Sequence, residues 1–145
     1  MAIKDTTKKP YIVDRDNKIF VGIDLPFRKS DGSDGWFAST STTIESVKNN
    51  IRNLLQTQQG ERFMQPFLGI NLRKYMFEQV SEELTFEIQN SILDTFKLWL
   101  PFVEVRDIKV NIKEVEVGRN NINLHIDFNI KQDPNTLASV QLDIE

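Results

Sequence analysis

Apolar and polar positions along this chain repeat with two periods, and the change from one to the other separates a helical stretch from a strand-rich one. From Thr42 onward, Ile44, Val47, Ile51, Leu54 and Leu55 recur at three- and four-residue steps. That spacing predicts a helix to about Thr57, with Lys48, Asn49, Arg52 and Asn53 toward solvent. Thr42-Thr43-Ile44-Glu45 has capping-box spacing at its start, and Gly60 marks its exit. A second stripe, Leu84, Ile88, Ile92, Phe96, Trp99 and Leu100, follows Ser81-Glu82-Glu83. Here a capping hydroxyl and two carboxylates sit where the helix dipole favours negative charge, and Pro101 blocks continuation. Between the two, Leu72 to Phe77 predicts a short helix with Leu72, Tyr75 and Met76 inward.

After Pro101 the period becomes two. Val103 and Val105, then Ile108, Val110 and Ile112, then Val115 and Val117 alternate in shifted phases. One long strand interrupted near Asp107 and Glu114 gives that pattern. Gly118-Arg119-Asn120-Asn121 reads as a hairpin, and Ile122, Leu124, Ile126, Phe128 and Ile130 form the next strand. Asp133-Pro134-Asn135 breaks the alternation, and Ala138, Val140, Leu142 and Ile144 resume it in a terminal strand. Ahead of the helices, Ile19, Val21, Ile23 and Leu25 predict a half-buried strand over Lys18 to Leu25. A turn-rich loop from Arg28 to Gly35 follows, and Trp36-Phe37 is expected to anchor the returning chain in the core. Met1 to Pro10 is polar, with Lys4, Lys8 and Lys9, and reads as a tail. The fold class is therefore α+β: two main helices and a short helix packed on a small, mainly antiparallel sheet. Residues 1–41 form an N-terminal extension and residues 42–145 the domain.

Composition narrows the functions available. The chain has 145 residues, 39% of them hydrophobic and 27% charged, enough for one core and too short for two. A net charge of -3 gives no field that would steer it to nucleic acid or anionic lipid, so its partners are expected to be proteins. Cysteine is absent, which removes disulfides and thiolate chemistry. No apolar run approaches the roughly 20 residues that span a bilayer, and the start lacks a signal-peptide layout, so no membrane partner and a cytosolic site of synthesis are expected.

Candidate chemistry is sparse. His125 is the one histidine and falls among the polar positions of its strand, so no metal site is expected. Nucleophile-elbow and phosphate-binding fingerprints are missing, so no cofactor is expected either. Glu61, Glu78, Glu82 and Glu83 could in principle supply a glycosidase pair. Glu82 and Glu83 already serve a helix start, and the chain reads as a non-enzyme. Phe63, Phe67, Phe77, Phe86, Phe96 and Trp99 read as core or interface packing rather than as a stacking platform. One segment is unusual: Gln59 to Gly69 holds two glycines, a proline, the dipeptide Glu61-Arg62, and Phe63, Met64 and Phe67 outside any regular pattern. A loop so rich in apolar groups packs on something, either its own core or a partner.

With these residues in view, the sequence resembles the gene-25-like baseplate wedge family of contractile-tail phages, related to a type VI secretion baseplate component. In that family the stretch reads Thr-x-x-Gly-x-Arg-x-x-x-Pro-x-(Phe or Leu)-Gly, followed by a Leu-Phe-Glu element. This chain matches at Thr57, Gly60, Arg62, Pro66, Leu68, Gly69 and Phe77-Glu78. The order of elements agrees from about Thr42 to Ile144. Where many relatives carry Glu-Pro-Arg, this chain has Leu100-Pro101-Phe102, so a contact made there through charge must here be apolar or compensated. Some relatives carry a lysozyme-like label, but the resemblance supplies no catalytic pair.

The resemblance implies a structural component of the virion tail baseplate, assembled in the host cytoplasm. It would join other baseplate wedge proteins, sit near the tail tube and initiate the sheath. Its expected partner interface comprises Gly60, Glu61, Arg62, Pro66, Phe67, Gly69, Phe77, Glu78, Leu100, Pro101 and Phe102. To these it adds the terminal-strand residues Ala138, Val140, Leu142 and Ile144, where tail sheath subunits would add a strand at an exposed edge. The N-terminal extension would wrap neighbouring wedge proteins. Removing residues 137–145 is expected to leave a folded domain that fails to seed sheath. A muramidase-like glycosidase and a peptide-binding adaptor are the competing readings.

Overall fold

Both predicted helix starts are used as the sequence lays them out. The Thr42 hydroxyl accepts from the Glu45 amide at 3.3 Å and opens α1, Thr43–Gln56. The Ser81 hydroxyl accepts from the Leu84 amide at 3.1 Å and opens α2, Glu82–Trp99. Each cap satisfies an amide that has no partner within its helix. The computed structural model describes residues 20–30, 35–116 and 119–144, the side chains of 114–119 and 133–136 excepted. Between the helices, Leu72–Phe77 forms a 3₁₀ turn that buries Leu72, Tyr75 and Met76.

Three long strands follow: β3 (Val103–Glu116), β4 (Arg119–Ile130) and β5 (Asp133–Ile144). They form an antiparallel sheet in the order β3-β4-β5, with β4 central. Period-two alternation sorts their side chains onto two faces. Ile122, Leu124, Ile126, Phe128 and Ile130 of β4, with Ala138, Val140 and Leu142 of β5, are buried in one core with Val47, Ile51, Leu54 and Leu55 of α1 and Leu84, Ile88, Ile92 and Phe96 of α2. The opposite face is polar. Lys109, His125 and Gln141 lie in register across it, and His125 Nε2 stands 3.2 Å from an Asp127 carboxylate oxygen.

The two phase changes in β3 are register shifts, between Val105 and Asp107 and between Glu114 and Glu116. At the first, Arg106 is left out of the ladder and donates through Nε to Asn129 Oδ1 at 2.6 Å, while Asn129 Nδ2 donates to Glu104 at 3.1 Å. That arrangement satisfies the amide of Asn129, which is buried.

Several expectations are corrected. The predicted hairpin joins β3 to β4, but Arg119, Asn120 and Asn121 already pair with β3, up to Glu116↔Arg119; Gly118 lies outside the described residues. Asp133, Pro134 and Asn135 belong to β5, and the chain reverses one step earlier, at Lys131-Gln132, where Lys131 N donates to Phe102 O at 3.0 Å. Of the strand expected over Lys18 to Leu25, only Gly22–Ile23 (β1) is in a ladder, paired with Ser39–Thr40 (β2). Val21 and Ile23 are exposed, because no described element lies over that face of the two-stranded ribbon; Lys18 and Ile19 lie outside the described residues, as does the tail. Trp36 and Phe37 are not core anchors: both are exposed, and Phe37 meets Phe27 with ring centroids 5.8 Å apart. Asn49, expected in solvent, is buried and donates at 3.4 Å to Ile23 O and to Asp24 Oδ1, tying α1 to the ribbon.

The expectation that residues 137–145 can be removed from a folded domain also fails. Their strand supplies Ala138, Val140 and Leu142 to the core and pairs along β4 from Ile122 to Phe128.

Candidate partner interface

The segment from Thr57 to Ile70 is a loop whose ends are tied together. Thr57 closes α1: its amide and its hydroxyl both donate to Asn53 O, at 3.0 and 2.6 Å. Its carbonyl then accepts from Ile70 N at 2.9 Å, joining the two strands of the neck. Gly60 N donates to Pro66 O at 2.7 Å across the loop, and Gln59 Nε2 donates to Gly69 O at 3.3 Å. The glutamate side chain turns back to accept from Gln58 N at 3.0 Å, and Arg62 donates to Asn53 Oδ1 at 3.3 Å. Compact loops with joined ends hold their shape through such internal bonds.

Gly69 is required by space as well as by conformation. Its φ is +103°, and a Cβ there would stand 2.1 Å from Thr57 O, the acceptor that closes the neck. Gly60 also has positive φ, +88°, but a Cβ there meets nothing within 4 Å.

The motif residues Thr57, Gly60, Arg62, Pro66 and Gly69, together with Glu61, therefore carry the bonds that hold the loop's path. Most of the loop is exposed, Glu61, Arg62 and Pro66 included, and so are its apolar residues: Phe63 is 96% exposed, Met64 85% and Phe67 78%. Sequence reasoning placed Phe67 and Gly69 in one interface list, whereas Phe67 lies on the surface and Gly69 is buried beneath it. Phe63 and Met64 were not in that list. The signal that could have found them is the absence of any apolar period across 59–69.

The other expected site residues fall into three groups. Phe77 is exposed at the end of the 3₁₀ turn, and Glu78, also exposed, is anchored through its backbone, its carbonyl accepting from the buried Asn120 Nδ2 at 2.7 Å. At the turn into β3, Pro101 and Phe102 are exposed, but Leu100 is a core residue and its side chain is not available to a partner. On β5, Ala138, Val140 and Leu142 turn inward and Ile144 is half-buried, so what this strand offers is its backbone edge with Ser139, Gln141 and Asp143 exposed beside it.

The sheet has two outer strands, and they differ. Along β3, α2 lies close enough for Gln89 Nε2 to donate to Ile108 O at 2.9 Å, covering one edge carbonyl. An open groove of about 790 Å³ runs beside residues 110–113. Along β5, β4 is the one strand paired, and no described side chain bonds the backbone of 138–144. The structure also joins two parts of the candidate site that are far apart in sequence. A cleft of about 230 Å³ is lined by Gln58 and Ile70 from the loop's neck and by Asp143 and Ile144 from the end of β5.

Glu61 spends an oxygen on Gln58 N, and Glu82 and Glu83 occupy the first turn of α2. Among the described residues no cluster of three metal-ligating side chains occurs, and no helix is long and apolar enough to cross a membrane.

A family model described as baseplate wedge protein gp25 matches residues 41–135. Among solved structures, the chain is similar to one in the anti-feeding prophage baseplate, with 25% identity, TM-score 0.61, and 75% of this chain and 83% of that one covered. It shares its fold with a candidate tail lysozyme from Geobacter sulfurreducens, at 23% identity and TM-score 0.61, covering 72% of this chain and 92% of the other. It also shares its fold with a chain of the type VI secretion system baseplate complex, at 13% identity and TM-score 0.51, covering 68% and 89%. No curated protein matches the sequence.

Proposed function

Because the chain belongs to the baseplate wedge protein gp25 family, and is thereby a structural component of a contractile-tail baseplate, we propose that it joins neighbouring wedge proteins and starts the tail sheath by accepting a strand on the open edge of β5. The observation that carries this reading is the contrast between the two sides of that strand. Its inward side chains lock its register on β4, while its outer edge has no partner among the described residues. An edge of this kind is a template for another chain: main-chain bonds give affinity, and a fixed register gives each added subunit the same geometry. The role is read as structural rather than catalytic: Glu61 accepts from Gln58 N, Glu82 and Glu83 stand in the first turn of α2, and the family is one of baseplate proteins. Fold likeness to a candidate tail lysozyme at 23% identity adds no activity.

A proline series at Ser139, Val140, Gln141 and Leu142 tests the proposal. In an antiparallel edge strand, alternate amides bond inward and outward. Proline where the amide points out removes no bond to β4 and is tolerated at an edge. The expected result is alternation: at positions with an outward amide the proline variant melts within a few degrees of the alanine variant at the same position, yet sheath polymerisation on reconstituted baseplates falls at least tenfold. If a folded variant of that class seeds sheath at the normal rate, strand addition at β5 is not the mechanism.

A further inference from the structure

The two outer strands of the sheet are unequal as templates for a further strand. Along β5 the pairing with β4 runs in unbroken register from Ala138 to Ile144, and this stretch holds no proline and no basic residue. Along β3 the regular pairing is bounded by two register shifts, between Val105 and Asp107 and between Glu114 and Glu116. Within those bounds Gln89 Nε2 donates to Ile108 O at 2.9 Å, so that carbonyl faces away from β4 and is already taken. Outward groups alternate along an antiparallel edge, which leaves those of Val110 and Ile112 open before the second shift begins. Both residues stand in the groove whose far wall is Ser81, Glu82 and Thr85 at the start of α2, and the exposed lysines Lys109 and Lys113 flank them. Bulges, a covering side chain, a neighbouring helix and lysines are means by which sheets make an edge unfit for pairing. Over 138–144, β5 has no shift, no capped carbonyl among the described residues and no lysine.

We propose that the β3 edge is blunted so that a second copy of this chain cannot seat its β3 on the β5 of the first, which keeps β5 free for an extended segment of a different protein. The inference rests on the strand-accepting reading of β5 above and names a partner which that edge excludes. A chain with two usable edges is complementary to itself. Its β5 could pair with the β3 of the next copy, a head-to-tail contact that repeats into open chains unless its rotation happens to close a ring. Every copy inside such a chain would have β5 occupied before another protein reached it. Main-chain bonds supply the affinity of strand addition, so the number of consecutive open groups decides which edge pairs. Ala138–Ile144 is longer than the usual strand of about 5–6 residues, whereas β3 offers the groups of two residues beside a helix.

Sedimentation of the full chain tests this, up to about 100 μM, a range in which unpaired strand edges drive association. The quantity read is the part of any association that disappears when an outward-amide proline from the series above is placed in β5. The parent is expected to show none. In a second variant Gln89→Ala, Lys109→Thr and Lys113→Thr are combined, which uncovers the Ile108 carbonyl and removes both lysines. Its weight-average mass is expected at least to double over the same range, and the β5 proline should return it to that of a single copy. The proposal is overturned by a parent that already associates in this proline-sensitive way, or by a folded triple variant that does not. Should the triple variant fail to fold, Gln89→Ala alone takes its place and is judged by the same masses. Sheath growth separates this inference from the reading beneath it. If the proline series blocks sheath while the triple variant stays a single copy, only the blunted edge fails; if the proline series leaves sheath growth normal, strand addition at β5 itself fails.

Discussion

Replacing Gly69 by alanine is expected to lower the stability of this protein by about 3–5 kcal/mol, from two costs that act together. The residue has φ +103°, and holding a side-chain-bearing residue in such a region costs on the order of 1–3 kcal/mol. The new Cβ would also lie 2.1 Å from Thr57 O and 2.8 Å from Thr57 C, which is backbone and cannot rotate away. If Thr57 moves, its carbonyl leaves Ile70 N, and an unsatisfied buried group costs about 1–3 kcal/mol more. Against a total of roughly 5–15 kcal/mol, that loss corresponds to a fall in melting temperature on the order of 10 °C. Gly60→Ala is the internal control: it has the same sign of φ and no neighbour within 4 Å of the added carbon, so about 1–2 kcal/mol is expected. Thermal melts of the two variants side by side check the contrast. Equal effects would show that Gly69 matters for its φ alone and that the tight neck is not a constraint.

The second large effect is expected from removing residues 137–145. Three inward side chains go, Ala138, Val140 and Leu142, and full burial of a valine or leucine contributes about 1.5–3 kcal/mol each. The loss does not end there. Leu124, Ile126 and Phe128 of the central strand, almost wholly buried in the intact chain, lose the neighbours they pair with in register, and the β4-β5 ladder goes with them. The sum reaches the whole stability of an ordinary domain. The shortened chain should show no cooperative melt, weakened near-ultraviolet dichroism and strong binding of a hydrophobic dye. A sharp two-state transition near the parent's melting temperature would contradict the placement of β5 in the core. Truncation is therefore a poor probe of assembly, since loss of sheath would follow from loss of fold.

What the sequence disclosed tracks how local each signal is. Helix starts at Thr42 and Ser81 depend on residues three apart, and both caps form at the expected atoms. The alternation of β4 persists for nine residues, and the phase slips in β3 mark real register shifts. Trp36 and Phe37 are exposed where a core anchor is expected, because hydrophobicity alone does not say whether a second layer lies above a ribbon, and no described residues form one here. Asn49 and Asn120 carry no periodic signal at all. Each is buried to satisfy a backbone carbonyl from a distant segment, Ile23 in one case and Glu78 in the other, a pairing that exists only once the chain has folded.

The candidate site was legible as an anomaly rather than as a geometry. Two glycines, a proline and three large apolar residues outside any regular pattern single out 59–69, yet the division of labour within it is not readable from sequence. That Gly69 is frame and Phe63 is surface follows from the path of the neck, fixed by Thr57 O and Ile70 N on either side of it. Likewise Leu100 took its place in the interface list from a sequence motif, while its depth is set by where α2 ends and β3 begins.

Hydrogen exchange along β5 addresses the edge directly, by following the amides of 138–144 in the isolated chain and again in a baseplate carrying its first ring of sheath. Every second amide should exchange within seconds in the isolated chain, and those same amides should slow at least a hundredfold once sheath is present, while the amides bonded to β4 stay slow in both. Uniform protection before sheath arrives, or fast alternate amides that stay fast afterwards, would mean that no incoming strand is seated on this edge.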